Sequence, residues 1–319
     1  FIATAGTIPM FALSALIVGA SGAISTPASS ELLFRYAPPR HAPVIFAIKQ
    51  TGVPMGGILA GILVPIFILA SGWRGAFVIS GLMCIVAAFL LQPWRARFDE
   101  HRQVGRTLMP TTELLRTVGM VFNHPQTREI SFAMFTFVGA QAVYAAFFVL
   151  FLVEGLGYEL TVAGQVFAAS QVVAVVARIF WGWLAGSFIA PRKMLALLGL
   201  GIAGSSVMTG LITDDWGIPL VLTAACAFSA TAVSWHGVLL AEVARLAPPG
   251  QVGSLTGGVL SLGYIAMMGY PALYGFILAN GGGFTFGFLI IGVPAFIAGC
   301  LLLRRPTHSA KLTEKQNDA

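Results

Sequence analysis

The sequence predicts an all-α membrane protein, a bundle of nine transmembrane helices. Three observations predict it. The chain of 319 residues is 57% hydrophobic and only 9% charged, which is too little charge to cover a soluble domain of that length. Its apolar residues gather into runs that supply the about 20 helical residues needed to cross a bilayer core. The connections between runs alternate between basic and non-basic, as expected of a chain that crosses repeatedly under the positive-inside rule.

The elements follow in order. Residues 1–8 read as the outer end of an earlier helix, with no charged leader and no cleavage site that would make a signal peptide. The run 10–34 precedes the double proline of A-P-P at 37–39, which stops a helix at the membrane edge. Runs 44–70 and 75–92 are separated only by the glycine-rich stretch around Gly72. The connection 93–129 is long and rich in arginine; within it, 110–122 has a threonine cap, an early Glu113 and a recurring apolar face, the pattern of a short helix on the membrane surface. Six further runs lie near 130–153, 161–187, 194–212, 217–241, 253–279 and 283–303.

Lys and Arg orient the chain. Arg35 and Arg40, the arginines of 93–129, Arg192 with Lys193, Arg245, and the tail after 303 fall on one side. The other side holds Arg74 with acidic Glu154, Glu159, Asp214 and Asp215. The first side is expected to be cytoplasmic, including the tail 304–319.

An internal repeat organises the chain. Arg35 and Arg245 stand 245 − 35 = 210 apart, and the same offset carries Ala37-Pro38-Pro39 onto Ala247-Pro248-Pro249 and Gly72 onto Gly282. An acid precedes the arginine in each copy, Glu31 and Glu242. Parallel repeats of this size mark secondary transporters. Three runs precede the second copy, so three are expected before the first. On that count the nine helices are the last of an implied twelve, divided into 1–92, the remainder of one half; 93–129, a central loop; 130–303, a six-helix half; and the tail.

Several classes are excluded or disfavoured. The net charge of +6 sits in short clusters and forms no basic face with interleaved aromatics, so no nucleic-acid partner is expected. Cys84, Cys226 and Cys300 stand isolated, and no histidine or cysteine pair has metal-ligand spacing. No phosphate-binding loop is present. An intramembrane enzyme would need clustered His, Asp or Glu on facing spans, and a membrane sensor would usually carry a larger output domain; the chain is read as neither, and no cofactor is expected.

Ionisable and polar groups inside spans are costly and default to functional candidates. Arg178 lies near the middle of 161–187 with no acid on its own helix. Its planar fork suits carboxylate, nitrate-like or phosphate groups; the alternative is a structural arginine that satisfies backbone carbonyls. Gln141 and Tyr144 share a face at i,i+3, and Gln171 is mid-span on the next helix. Trp235 and His236 lie in the inner half of 217–241; His236 could carry a coupled proton or be a satisfied interior histidine. Lys49, near the start of 44–70, can snorkel to the interface, with Gln50 beside it. Glu31 with Arg35 and Glu242 with Arg245 read as local pairs at helix ends, an inner-gate scaffold. Glycines in 52–61 and 253–263 have the spacing that lets helices approach closely.

Two six-helix halves, a long basic central loop, F-A-I-K-Q-T-G-V-P-M-G-G at 46–57, V-L-L-A-E-V-A-R-L-A-P-P-G at 238–250 and Gly182-Trp183-Leu184-Ala185 together resemble bacterial members of the major facilitator superfamily. The resemblance covers essentially the whole chain, although Gly186 stands where the family's loop signature G-x-L-A-D-R has its acid. It implies a monomeric inner-membrane carrier of a small solute that works by alternating access, with drug or metabolite efflux as the variant. The helix bearing Gln141 and Tyr144 lines the family's central cavity. A-R-x-x-x-G at Ala177–Gly182 resembles the eighth helix of members that carry small anions, where the arginine meets the substrate. Lacking three helices of one half, the bundle is expected to leave Arg178 facing lipid or unsatisfied. The orientation predicts that a reporter fused near Asp214 is external and reporters at Arg102 or Lys315 are cytoplasmic. Finding all three on one side would overturn the alternating assignment.

Overall fold

The computed structural model describes residues 2–21, 48–95, 119–248 and 251–304. Among the described residues there is no β-strand. The helices, in chain order, are α1 Ile8–Ser21, α2 Gly52–Leu91, α3 Pro125–Leu150, α4 Leu160–Ser187, α5 Pro191–Gly210, α6 Ile218–Ala232, α7 His236–Leu246, α8 Val252–Ala279 and α9 Gly283–Leu303. Glu31, Arg35, the first A-P-P turn, the tail and most of the proposed surface helix at 110–122 lie outside the described residues.

At 1.5 Å per residue the 40 residues of α2 extend about 60 Å, twice the about 30 Å of a bilayer core. Gly72 resolves this: its φ of 70° and ψ of 174° are non-helical, a conformation glycine adopts without a Cβ penalty. It divides α2 into two arms, each of about bilayer length, at the place where the runs 44–70 and 75–92 meet. Pro125 and Pro191 stand at the first turn of α3 and α5, where a missing N–H costs nothing, so both helices begin earlier than their apolar runs. The run 217–241 is corrected more substantially. It is two helices, α6 and α7, separated by non-helical Val233, Ser234 and Trp235, and the second piece continues to Leu246.

Lipid gives no hydrophobic drive to helix association, so close backbone approach and side-chain bonding hold the bundle. The main pairings are α5 with α9, α3 with α8, and α2 with α4, while α6 lies against both α4 and α5. Between α5 and α9, a Cβ on Gly199 would meet Gly299 Cα at 3.0 Å, and one on Gly299 would meet Ala196 O at 3.0 Å. Between α2 and α4, a Cβ on Gly61 would lie 2.6 Å from Gly164 O. Of the glycines singled out in 52–61, Gly57 and Gly61 meet α4, whereas Gly52 and Gly56 face open space; in 253–263, Gly263 packs on Met134 and Val138 of α3, and Gly253 and Gly257 are open. The core is aromatic: Phe228 lies 4.7 Å from Tyr144 and 6.2 Å from Phe288, which meets Tyr274 at 5.3 Å. At one end, Arg192 of α5 pairs with Glu129 of α3 and reaches Leu301 O of α9 at 3.5 Å.

A methyl at Gly164 must displace the backbone of Gly61 and Pro65 Cγ, 2.8 Å away, whereas one at Gly204 meets nothing within 4 Å. Gly164→Ala is therefore expected to destabilise purified protein by about 1–3 kcal/mol and lower its thermal midpoint. Gly204→Ala should leave the midpoint unchanged or raise it. Equal midpoints for the two variants would remove the α2–α4 contact from the packing account.

Candidate functional site

The candidate site forms where the chain leaves helical geometry between α6 and α7. A helix that ends inside a bilayer leaves carbonyls with no water to accept from, and here most of the freed carbonyls can be accounted for. Ser229 O accepts from Val233 N at 3.2 Å and Ser234 Oγ at 3.2 Å. Ala230 O accepts from Trp181 Nε1 at 2.7 Å, and Ala232 O from Trp235 Nε1 at 2.8 Å. Val233 O accepts from Arg178. Ser234 Oγ also reaches Ala174 O at 3.1 Å. Three residues of α4, namely Ala174, Arg178 and Trp181, thus meet the broken segment from one helix face at i, i+4 and i+7.

Arg178 is 1% exposed, so the expectation that it faces lipid is corrected. Its two terminal nitrogens donate to Gln50 O and Val233 O, and only Nε is enclosed without a partner. Two backbone segments far apart in sequence converge on it, which is why it is not exposed. No carboxylate pairs with it among the described residues: Glu242, itself buried, is held by Arg245 through two bonds of 2.7 and 2.8 Å, and Glu129 by Arg192. Among the described residues, the guanidinium is a buried cation offset by carbonyl dipoles alone.

The other predicted residues divide into two groups. His236 opens α7 with its ring stacked on Trp235 at 3.7 Å, and its Nδ1 is enclosed without a partner. Trp235 meets Phe137 of α3 at 5.7 Å. One helical turn along α3 from Phe137, Gln141 has its Oε1 enclosed and unpartnered. Gln50, in the short helical turn before α2, contributes its carbonyl, and neighbouring Lys49 is half-buried. These residues gather around the break.

Tyr144 and Gln171 do not. The Tyr144 hydroxyl shares a hydrogen bond with Ser170 Oγ at 2.6 Å, stands 3.3 Å from Ala225 O, and its ring lies 4.6 Å from Phe148. It is a fully buried core residue that joins α3, α4 and α6. Gln171 is buried beneath Gly57, with its Oε1 3.1 Å from where a Cβ there would stand. The sequence reading missed Trp181, Ser234 and the Glu129–Arg192 pair. An indole N–H and a hydroxyl near the middle of apolar runs were the available signals, since each needs an acceptor in lipid.

A family model described as Major Facilitator Superfamily matches residues 1–267. The chain belongs to the major facilitator superfamily. The fold agrees with solved superfamily structures: against the E. coli fucose:proton symporter FucP the TM-score is 0.61 at 18% identity, covering 89% of this chain and 73% of that one. The chain is 25% identical over 234 residues to the "Probable hexose phosphate transport protein" of Chlamydia muridarum, 63% of this chain and 50% of that protein. It is 21% identical to the "Probable sulfoacetate transporter SauU" of Cupriavidus necator, covering 90% and 70%, and 24% identical to the "Hexuronate transporter" of Bacillus subtilis, covering 86% and 68%. It therefore spans half to about two thirds of the length of these relatives. As a superfamily member it is a multi-pass membrane protein, and seven of its described helical stretches are long and apolar enough to cross a bilayer.

The carbonyl account predicts unequal effects for two neighbouring tryptophans. Trp181→Phe strands Ala230 O and is expected to cost about 1–3 kcal/mol. Trp183→Phe alters a side chain that is 55% exposed and should be nearly neutral. Thermal unfolding of the purified variants measures both, and a Trp181→Phe midpoint equal to that of Trp183→Phe would contradict the capping role.

Proposed function

We propose that the protein is a secondary active transporter of small organic anions, acting as a monomer in the bacterial inner membrane by alternating access, with its C-terminus cytoplasmic. It moves its solute without covalent change and needs no nucleic-acid partner. The regions 1–92 and 130–303 belong to two halves joined by the cytoplasmic loop 93–129. One observation carries the reading: a buried guanidinium with no carboxylate partner among the described residues, placed where a helix is broken and where α2 meets α4. In a low-dielectric interior an unpaired cation is costly, and an anionic solute supplies the missing charge. The three relatives, each with a printed name that refers to an anionic solute, support the same class. Half-helix ends near the midplane of the bilayer are the usual place for such a site.

A second reading rests on the same contacts. Two nitrogens of Arg178 are occupied by carbonyls, so the residue could serve only as a cap, with a neutral solute bound elsewhere. Reconstituted uptake of glucuronate, a hexuronate, and of sulfoacetate separates the two. Arg178→Lys keeps the charge but loses the fork, and is expected to weaken apparent affinity about ten- to a hundredfold, as when a charge-assisted bond is lost. Undiminished uptake in folded Arg178→Lys and Arg178→Gln would leave only the capping role.

A further inference from the structure

We infer that His236 binds a proton together with an anion held by Arg178, so that the break between α6 and α7 is one coupled site for an anion and a proton. The inference rests on the proposed anion reading and adds the coupling group to it.

The observations are geometric. Arg178 donates to Val233 O, three residues before His236, which is the first residue of α7. Trp235 covers one face of the ring at 3.7 Å. Nδ1 is enclosed, bonds to nothing and has an aromatic wall on one side. In a neutral imidazole one nitrogen carries hydrogen and the other accepts, so the ring keeps one nitrogen that can take an added proton.

Among the described charged groups around α7, Arg178 is the one bonded to the break from which His236 leads. From α3 the groups are Arg128, Glu129 and Glu154 near its ends, with Tyr144 bonded to Ser170. From α5 they are Arg192, paired with Glu129, and Lys193. From α8 they are Tyr264, Tyr270 and Tyr274, and on α7 itself Glu242 is held by Arg245. From α4 the group is Arg178. Among the described residues, the carboxylates Glu129 and Glu242 are each held by an arginine.

Two neighbouring cations in a low-dielectric interior repel strongly. With Arg178 unliganded, an imidazolium at His236 meets that repulsion with no opposing charge. An anion on Arg178 cancels the repulsion and adds attraction, so the proton and the anion favour one another. Linkage makes the effect reciprocal: whatever the anion does for proton affinity, the proton does for anion affinity. The pair enters as a unit of lower net charge, which also reduces the cost of carrying the anion across lipid.

The test measures glucuronate binding to purified protein by quenching of tryptophan fluorescence, together with proton uptake in weak buffer with an indicator dye. The expected result is about one proton taken up per glucuronate, with affinity rising as pH falls by up to about tenfold per pH unit between pH 6 and 8. His236→Gln and His236→Asn should bind glucuronate with no proton uptake and a flat pH profile. Binding without proton uptake in the wild-type protein would overturn the inference while leaving the anion reading intact, as would proton uptake that survives in either folded variant. No binding of glucuronate or sulfoacetate at any pH would overturn both. Absence of proton uptake in the wild-type protein overturns the inference even if both variants fail to fold.

Discussion

The site depends on a constraint that lipid imposes on backbone. A helix interrupted inside a bilayer exposes carbonyls that water cannot reach, and each stranded one costs several kcal/mol. The segment Val233–Trp235 survives because side chains take the place of the missing turn. Ser234 and Trp235 bond back to the chain they interrupt, and Trp181 and Arg178 reach across from α4. The capping requirement decides which residues α4 can present there. It also explains how a guanidinium comes to rest in an apolar bundle, with carbonyl dipoles aimed at two of its nitrogens.

Close helix packing makes the third contact possible. Gly61 and Gly164 let the backbones of α2 and α4 meet, and Gln171 fills the space beneath Gly57 one turn further along. Continuing toward the start of α2, the same approach brings Gln50 O to Arg178. Larger residues at this crossing would separate the helices and withdraw that carbonyl. Small residues at 57, 61 and 164 are thus part of the site at a distance, because they fix where Arg178 finds its partners.

The spans were largely legible because hydropathy and Lys/Arg placement depend on the solvent and not on tertiary detail. The Gly72 junction was legible for a similar local reason. The break was not: the 217–241 run is equally apolar whether it is continuous or interrupted, and the caps that permit the interruption lie 49 to 60 residues away in α4. Periodicity placed Gln141 and Tyr144 on one face but could not say what that face meets. Residues at i,i+3 point about 60° apart around a helix, and Tyr144 enters the Phe148–Phe228 cluster while Gln141 Oε1 is enclosed without a partner. The Glu129–Arg192 pair joins residues 63 apart, and no local pattern announces it.

On the proposed reading, capping and solute recognition by Arg178 are connected, not opposed. A carboxylate makes bonds to guanidinium roughly twice as strong as neutral ones, so an anion can compete with Val233 O and Gln50 O for the same nitrogens. Each displaced carbonyl then lacks a partner, at about 1–3 kcal/mol, unless its segment moves to find another. One carbonyl belongs to the α6–α7 break and the other to the turn before α2, on the opposite side of the α2–α4 crossing. An arriving anion therefore loosens the contact that ties these two segments through one side chain. A ligand shifts a conformational equilibrium only through a difference in its interaction with the two states. On the proposed anion reading, exchange of a carbonyl for a carboxylate at Arg178 would supply such a difference beside the α2–α4 contact.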